Sequence, residues 1–311
     1  MNQIKVISFL LLAFVLSWVS YHLAGMFLDP EGMATPFIKL LAYAWGPGLS
    51  ALIVQKWVYK ESMARYGWNR RRFNWQWILG MMYLPLGIVA ATVGIAFVLG
   101  NFMHIPGFGD VVMGGPELKV AALAVLPGFI HNWFIAPMMS PEGWMLAGLI
   151  IALGPVAGAL INLFFNIGEE LGWRGFMLAE TRSLGFVKSN LLIGLSWGLW
   201  SLPLLFLGQS NGASFLAEDL LIGILIHVGF CMSMAFPMAY FSSKTRSIYA
   251  SATFHGSLNN VASLTGFFIL GANPYLASVY GLTGMTIFLA ITLLIMRMDP
   301  DFERNYKELF Y

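Results

Sequence analysis

The chain has 311 residues, of which 58% are apolar and only 10% charged, and its net charge is +2. A soluble domain carries about 25% charge, so a soluble fold with a polar surface is excluded, and the near-neutral balance argues against a nucleic-acid surface or partner. The single cysteine, Cys231, lies in an apolar run; it provides no disulfide framework and is read as a small buried hydrophobe. The composition predicts an all-α, polytopic integral membrane protein forming one transmembrane domain over 1–311.

A span needs about 20 mostly apolar residues. Runs of this kind cover 6–28, 38–58, 77–100, 144–167, 190–208, 220–241, 247–271 and 275–296, which predicts about eight transmembrane helices. Each should be helical, because hydrocarbon leaves a lone segment no other way to satisfy its backbone. The first run is too long for the apolar region of a signal peptide and lacks a small-residue cleavage site, so it is read as span one. Between 101 and 143 the pattern weakens, with Pro106, Gly107, Gly114, Gly115, Pro116, Pro137 and Pro141. The apolar stretch 120–139 is read there as interfacial or re-entrant. Neither an inserted soluble domain nor an internal repeat is visible.

Lysine and arginine near span ends set the orientation. With the N-terminus in the cytoplasm, the residues inside are Lys5; Lys56, Lys60, Arg65, Arg70, Arg71 and Arg72; Arg174, Arg182 and Lys188; Lys244 and Arg246; and Arg297, Arg304 and Lys307. These are 15 of the 17 basic residues, and only Lys39 and Lys119 fall outside. Both termini are therefore expected in the cytoplasm, and the protein in a cell membrane, most plainly the plasma membrane. The cluster Arg70-Arg71-Arg72, beside Trp68, Phe73, Trp75 and Trp77, reads as an ordinary positive-inside loop with an aromatic belt, or as a contact for anionic lipid.

Polar groups inside spans are costly and mark functional candidates. Span four runs into Asn166-Ile-Gly-Glu169-Glu170-Leu-Gly-Trp173-Arg174-Gly175. On a helix, Glu170 and Arg174 stand at i, i+4 and share a face, while Glu169 points about 100° away. One carboxylate can pair with the arginine and the other face a dehydrated pocket, where it would suit general-base work. The bland alternative is a solvated helix end. Span seven carries His255 and Asn259 on one face, roughly 12–18 Å from the cytoplasmic end at 1.5 Å per residue. Span five carries Leu195-Ser-Trp197-Gly-Leu-Trp200-Ser201-Leu-Pro203. Pro203 frees a carbonyl and kinks that helix, and a serine such as Ser201 usually bonds its own backbone.

Together these strings resemble the motifs of the CAAX protease and bacteriocin-processing (CPBP, or Abi) family of intramembrane proteases, which includes type II CAAX prenyl endopeptidases. Glu169-Glu170-Leu-Gly-Trp-Arg174-Gly175 is similar to its EExxxR motif and His255-Gly-Ser-Leu-Asn259 to its HxxxN motif. Trp197-Gly-Leu-Trp200-Ser201-Leu-Pro203 resembles a third, in which an aromatic is followed four residues on by His and then Leu-Pro. The likeness covers about 150–262, and Trp45-Gly-Pro47-Gly-Leu-Ser-Ala resembles a weaker feature. The resemblance implies an intramembrane endopeptidase acting near the cytoplasmic face. Glu169 would be the base, His255 and Asn259 the oxyanion side, and Glu170 and Arg174 supporting residues.

The departure is Ser201, which stands where the family has a histidine that helps activate water. A hydroxyl does not ionise near neutral pH and could at best orient a water, so attenuated catalysis is expected. The alternative is an inactive relative acting as a membrane-embedded binding or regulatory protein. A third class, a transporter using the buried carboxylate and histidine, fits the motif order less well. Zinc is judged unlikely, because a catalytic zinc wants three protein ligands and only Glu169 and His255 match; no other cofactor is implied. The expected partners are membrane lipids and a peptide or protein substrate, or else a membrane partner. His227 of span six counts to roughly 20 Å from the cytoplasmic face and Ser201 to roughly 16 Å. Similar depth permits a meeting, but a histidine bonding a neighbouring span is the plainer reading. If the pocket once worked with a histidine, a water should now fill the room beside Ser201, and Ser201→His should restore hydrolysis.

Overall fold

In the computed structural model, the described residues are 1–29, 32, 34–63, 75–112, 114, 143–206 and 220–307. The helices are α1 (Gln3–Phe27), α2 (Thr35–Ala44), α3 (Gly46–Leu52), α4 (Trp75–Ala96), α5 (Gly143–Ile161) and α6 (Leu163–Glu170). They continue with α7 (Leu178–Thr181), α8 (Phe186–Phe206), α9 (Leu220–Thr245), α10 (Ile248–Val261), α11 (Leu264–Phe268), α12 (Leu282–Met298) and α13 (Pro300–Asn305). π-Helical turns extend α3 (Ile53–Val58), α4 (Phe97–Phe102) and α6 (Leu171–Met177). One short antiparallel ladder pairs β1 (Asp110–Val111) with β2 (Ile269–Leu270).

The architecture is all-α and polytopic. Among the described residues, five helical stretches are long and apolar enough to cross a bilayer: Gln3–Phe27, Thr35–Val58, Trp75–Phe102, Phe186–Phe206 and Leu220–Thr245. The pair Gly148–Ile161 and Leu163–Leu184, bent by 57°, makes a sixth if it is one broken span. The seventh and eighth apolar runs of the sequence do not form helices of spanning length among the described residues. Run 247–271 yields α10, α11 and β2, and α10 has 14 residues. At 1.5 Å per residue that is about 21 Å, short of a ~30 Å hydrocarbon core. Run 275–296 yields only the 17-residue α12.

Lipid-facing and protein-facing residues separate as a membrane solvent demands. α1 exposes Ile4, Ile7, Leu11, Val15 and Val19, and buries Val6, Phe9 and Ala13. α10 is the opposite case: eleven of its fourteen residues are buried, including Ser251, Thr253, His255 and Ser257. It packs against α4, α5, α6 and α9, so its polar side chains meet protein and not lipid, which is what makes them tolerable.

Contacts gather several chain ends at one end of the bundle. Lys5 Nζ reaches Glu61 at 2.9 Å and Glu180 at 3.0 Å. The N-terminal amine donates to Ser183 Oγ at 3.0 Å, Tyr306 OH to Ser189 Oγ at 3.3 Å, and Lys244 pairs with Asp299. The segments expected to share the cytoplasmic side thus meet, and the assignment of that end to the cytoplasm rests on the positive-inside rule. The arginine cluster at 70–72 and the stretch 120–139 lie outside the described residues.

Candidate active site

The site forms where α6, α8, α9 and α10 converge. Two asparagines lay α6 along α10: Asn162 Nδ2 donates to the Gly256 carbonyl at 3.1 Å and Asn166 Nδ2 to that of Ala252 at 3.4 Å. On its other side α6 meets Trp45, which joins α2 to α3, and the first turn of α3, Gly46-Pro47-Gly48. A Cβ at Gly168 would lie 2.8 Å from the Ala44 carbonyl oxygen and 2.9 Å from Trp45 Cα. Only a glycine lets the backbones approach this closely. The approach sets Glu169 and Glu170 between two helices.

The helix does not end in water after Glu170. It continues as the π-helical turn Leu171–Met177, every residue of which is buried, so the solvated-end alternative is set aside. Glu170 Oε1 accepts from Arg174 Nη1 at 3.1 Å and faces His255 Nδ1 at 3.1 Å. Glu170 and Arg174 are 0% and 1% exposed, so this ion pair is out of solvent and its partners compensate each other. The Arg174 guanidinium also lies 4.4 Å from the Trp197 ring.

Glu169 faces elsewhere, as the 100° step requires. Its Oε2 accepts from Trp197 Nε1 at 3.1 Å, and the Trp197 ring stands edge-on to His255 with centroids 5.3 Å apart. Trp197 therefore binds both halves of the site, a contact the sequence reading did not identify. A cavity of about 360 Å³ is lined by Glu169, Trp197, Ser201, His227, His255 and Asn259 among others. Glu170 and Arg174 are not in its wall; they stand behind His255. Their position fixes the chemistry of that ring. The carboxylate acceptor makes Nδ1 a donor, so a neutral His255 presents Nε2 as an acceptor, and only the imidazolium donates from both nitrogens.

Ser201 departs most from expectation. Its Oγ lies 3.0 Å from the Trp197 carbonyl oxygen and 3.1 Å from that of Gly198, the back-bonding expected of a helical serine. It also lies 2.7 Å from His227 Nε2. The imidazole of α9 thus stands beside Ser201, so that Ser201 and His227 meet as their similar depth permits and His227 bonds a neighbouring span. Cys231, one turn along α9, is buried with Sγ 3.8 Å from the same nitrogen. Among the described residues, no three His, Cys, Asp or Glu side chains group as a metal site.

A helical membrane bundle with carboxylate, imidazole and carboxamide groups lining one internal cavity defines the class. Residues 151–261 match the family model described as type II CAAX prenyl endopeptidase Rce1-like. CAAX prenyl protease 2 of Methanococcus maripaludis is similar to this chain, at 29% identity over 93 residues, which are 29% of this chain and 34% of that protein. The chain spans about a third of the length of that curated relative. Through this segment the chain is similar to type II CAAX prenyl endopeptidases, and the three motif-like strings of α6, α8 and α10 fall inside it.

Proposed function

We propose that the protein is an intramembrane endopeptidase hydrolysing a peptide bond near the cytoplasmic membrane face. The observation that carries this reading is the shared cavity of Glu169, His255 and Asn259, with Glu170 and Arg174 bracing His255 from behind. In the reaction, the oxygen of a water attacks the carbonyl carbon while its proton passes to the Glu169 carboxylate. The carbonyl becomes an oxyanion that accepts hydrogen bonds from Asn259 and from His255 as an imidazolium opposite Glu170. The C–N bond then breaks, and Glu169 returns the proton to the leaving amine. No step is assigned to zinc, since the donor set supplies too few ligands.

The substrate class follows the name of the similar archaeal protein, a CAAX prenyl protease: a membrane-anchored peptide with a prenylated cysteine near its C-terminus. Lipid delivers such a substrate to the bundle, and the cleaved bond lies beyond the anchor. The test is mass spectrometry of a prenylated peptide ending in Cys-aliphatic-aliphatic-X, incubated with the full chain in lipid vesicles. Release of a C-terminal fragment by the unmodified chain and not by Glu169→Gln is the expected result. A second reading, an inactive relative that binds a membrane partner in the same cavity, is favoured by one observation, the hydroxyl at Ser201. It predicts peptide binding without cleavage.

A further inference from the structure

The cavity contains a buried titratable side chain that the reaction above does not use. His227 is 8% exposed, lines the cavity with Glu169, and holds Ser201 at 2.7 Å. We infer that His227 is a catalytic residue of this site, supplying from α9 the imidazole that positions and polarises the attacking water for Glu169. The inference rests on the peptidase reading.

Three observations lead to it. First, a carboxylate base takes one proton from the water, and a second acceptor is needed to hold the water in line with the carbonyl. His255 is committed to the other side of the reaction through Glu170. Second, Ser201 sets the state of the His227 ring. The Ser201 hydroxyl has one proton, and two backbone carbonyls of its own helix stand at 3.0 and 3.1 Å to take it. Its oxygen then accepts from His227 Nε2–H, which leaves the ring lone pair on Nδ1. Among the described residues Nδ1 has no hydrogen-bond partner in the protein. Third, the geometry accounts for the residue type at 201. The Ser201 hydroxyl on α8 touches the His227 imidazole on α9 at 2.7 Å, so a side chain larger than serine at 201 would meet that ring.

The experiment measures initial rates on an internally quenched prenylated peptide, using the full chain in lipid vesicles. Four variants are compared with the unmodified protein: Glu169→Gln, His227→Ala, His227→Asn and the double exchange Ser201→His/His227→Ser. Both single His227 changes should lower kcat by roughly 100-fold or more, the scale of general acid–base assistance, with KM little changed. The asparagine variant guards against a packing defect. The double exchange should recover activity to within about tenfold, because it moves the imidazole back to α8 in the same cavity. Wild-type rates in His227→Ala, or losses that the double exchange does not repair while Glu169→Gln remains inactive, would overturn this inference alone. No hydrolysis by the unmodified chain above the Glu169→Gln level would overturn the peptidase reading and the inference with it.

Discussion

The two adjacent carboxylates divide their work. Glu169 borders the cavity, and Glu170 lies behind His255 with its Oε1 shared by Arg174 and His255. Glu170→Ala should therefore act on stability as well as activity. It would leave Arg174 buried without its counter-charge, a loss of about 3–5 kcal/mol for a broken buried pair, read as a fall in the thermal midpoint in detergent. Glu169→Gln keeps the volume and should leave that midpoint nearly unchanged. Equal stability of the two variants would contradict this division. The same residues show how much the sequence disclosed. Spacing alone separates the faces of Glu169 and Glu170 and puts Glu170 with Arg174. The partners across helices, Trp197 on Glu169 and His227 on Ser201, depend on helix rotation and register, which no local pattern encodes. Depth counting had brought Ser201 and His227 to similar levels, and no more.

The elements meet through small residues. The junction of α2 and α3 at Ala44 and Trp45 accepts α6 at backbone distance, so Gly168→Ala must push the helices apart or turn α6. Because Gly168 precedes Glu169 directly, the expected result is loss of peptidase activity with the membrane-inserted protein still produced. Unchanged activity would show that the crossing is looser than described. The weak likeness at 45–51 thus has a structural meaning, as the seat of the carboxylate helix. The π-helical turn Leu171–Met177 was not legible in the sequence, since a π-turn has no residue signature. It continues the helix beyond Glu170 and buries Arg174. Among the described residues, two of the eight apolar runs form no helix of 18 residues or more. Run 247–271 holds Ser, Thr, His and Asn that are affordable only inside protein, and it folds as a short internal helix.

At the scale of the whole molecule, the positive-inside pattern and the contacts agree on one crowded end. Cysteines placed at 70 and 212 in a Cys231→Ser background test the orientation. Position 70 should react with a membrane-impermeant thiol reagent only after the membrane is opened, and position 212 in sealed cells. The reverse would invert the protein and its site. The same end carries a pH-sensitive pair. Lys244, by its hydrogen bond and then its charge, holds the Asp299 carboxyl below the usual carboxylate range. A depressed carboxylate contributes stability that is present above its unfolded value and lost as pH falls through its folded one. The α9–α12 ends should therefore loosen below the ordinary carboxylate range, and Asp299→Asn should remove that part of the acid sensitivity. The effect is small because the pair is partly exposed and screened by salt. An acid response unchanged in Asp299→Asn would assign it elsewhere.

The central claim is that Glu169 activates water in this cavity. The most direct measurement is kcat for cleavage of the prenylated peptide by the unmodified chain and by Glu169→Gln, both in lipid vesicles and matched for folded protein. The account predicts a single cut near the C-terminus and a rate at least about 100-fold lower in the variant. Equal rates in the two proteins, or no cleavage by either, would contradict it.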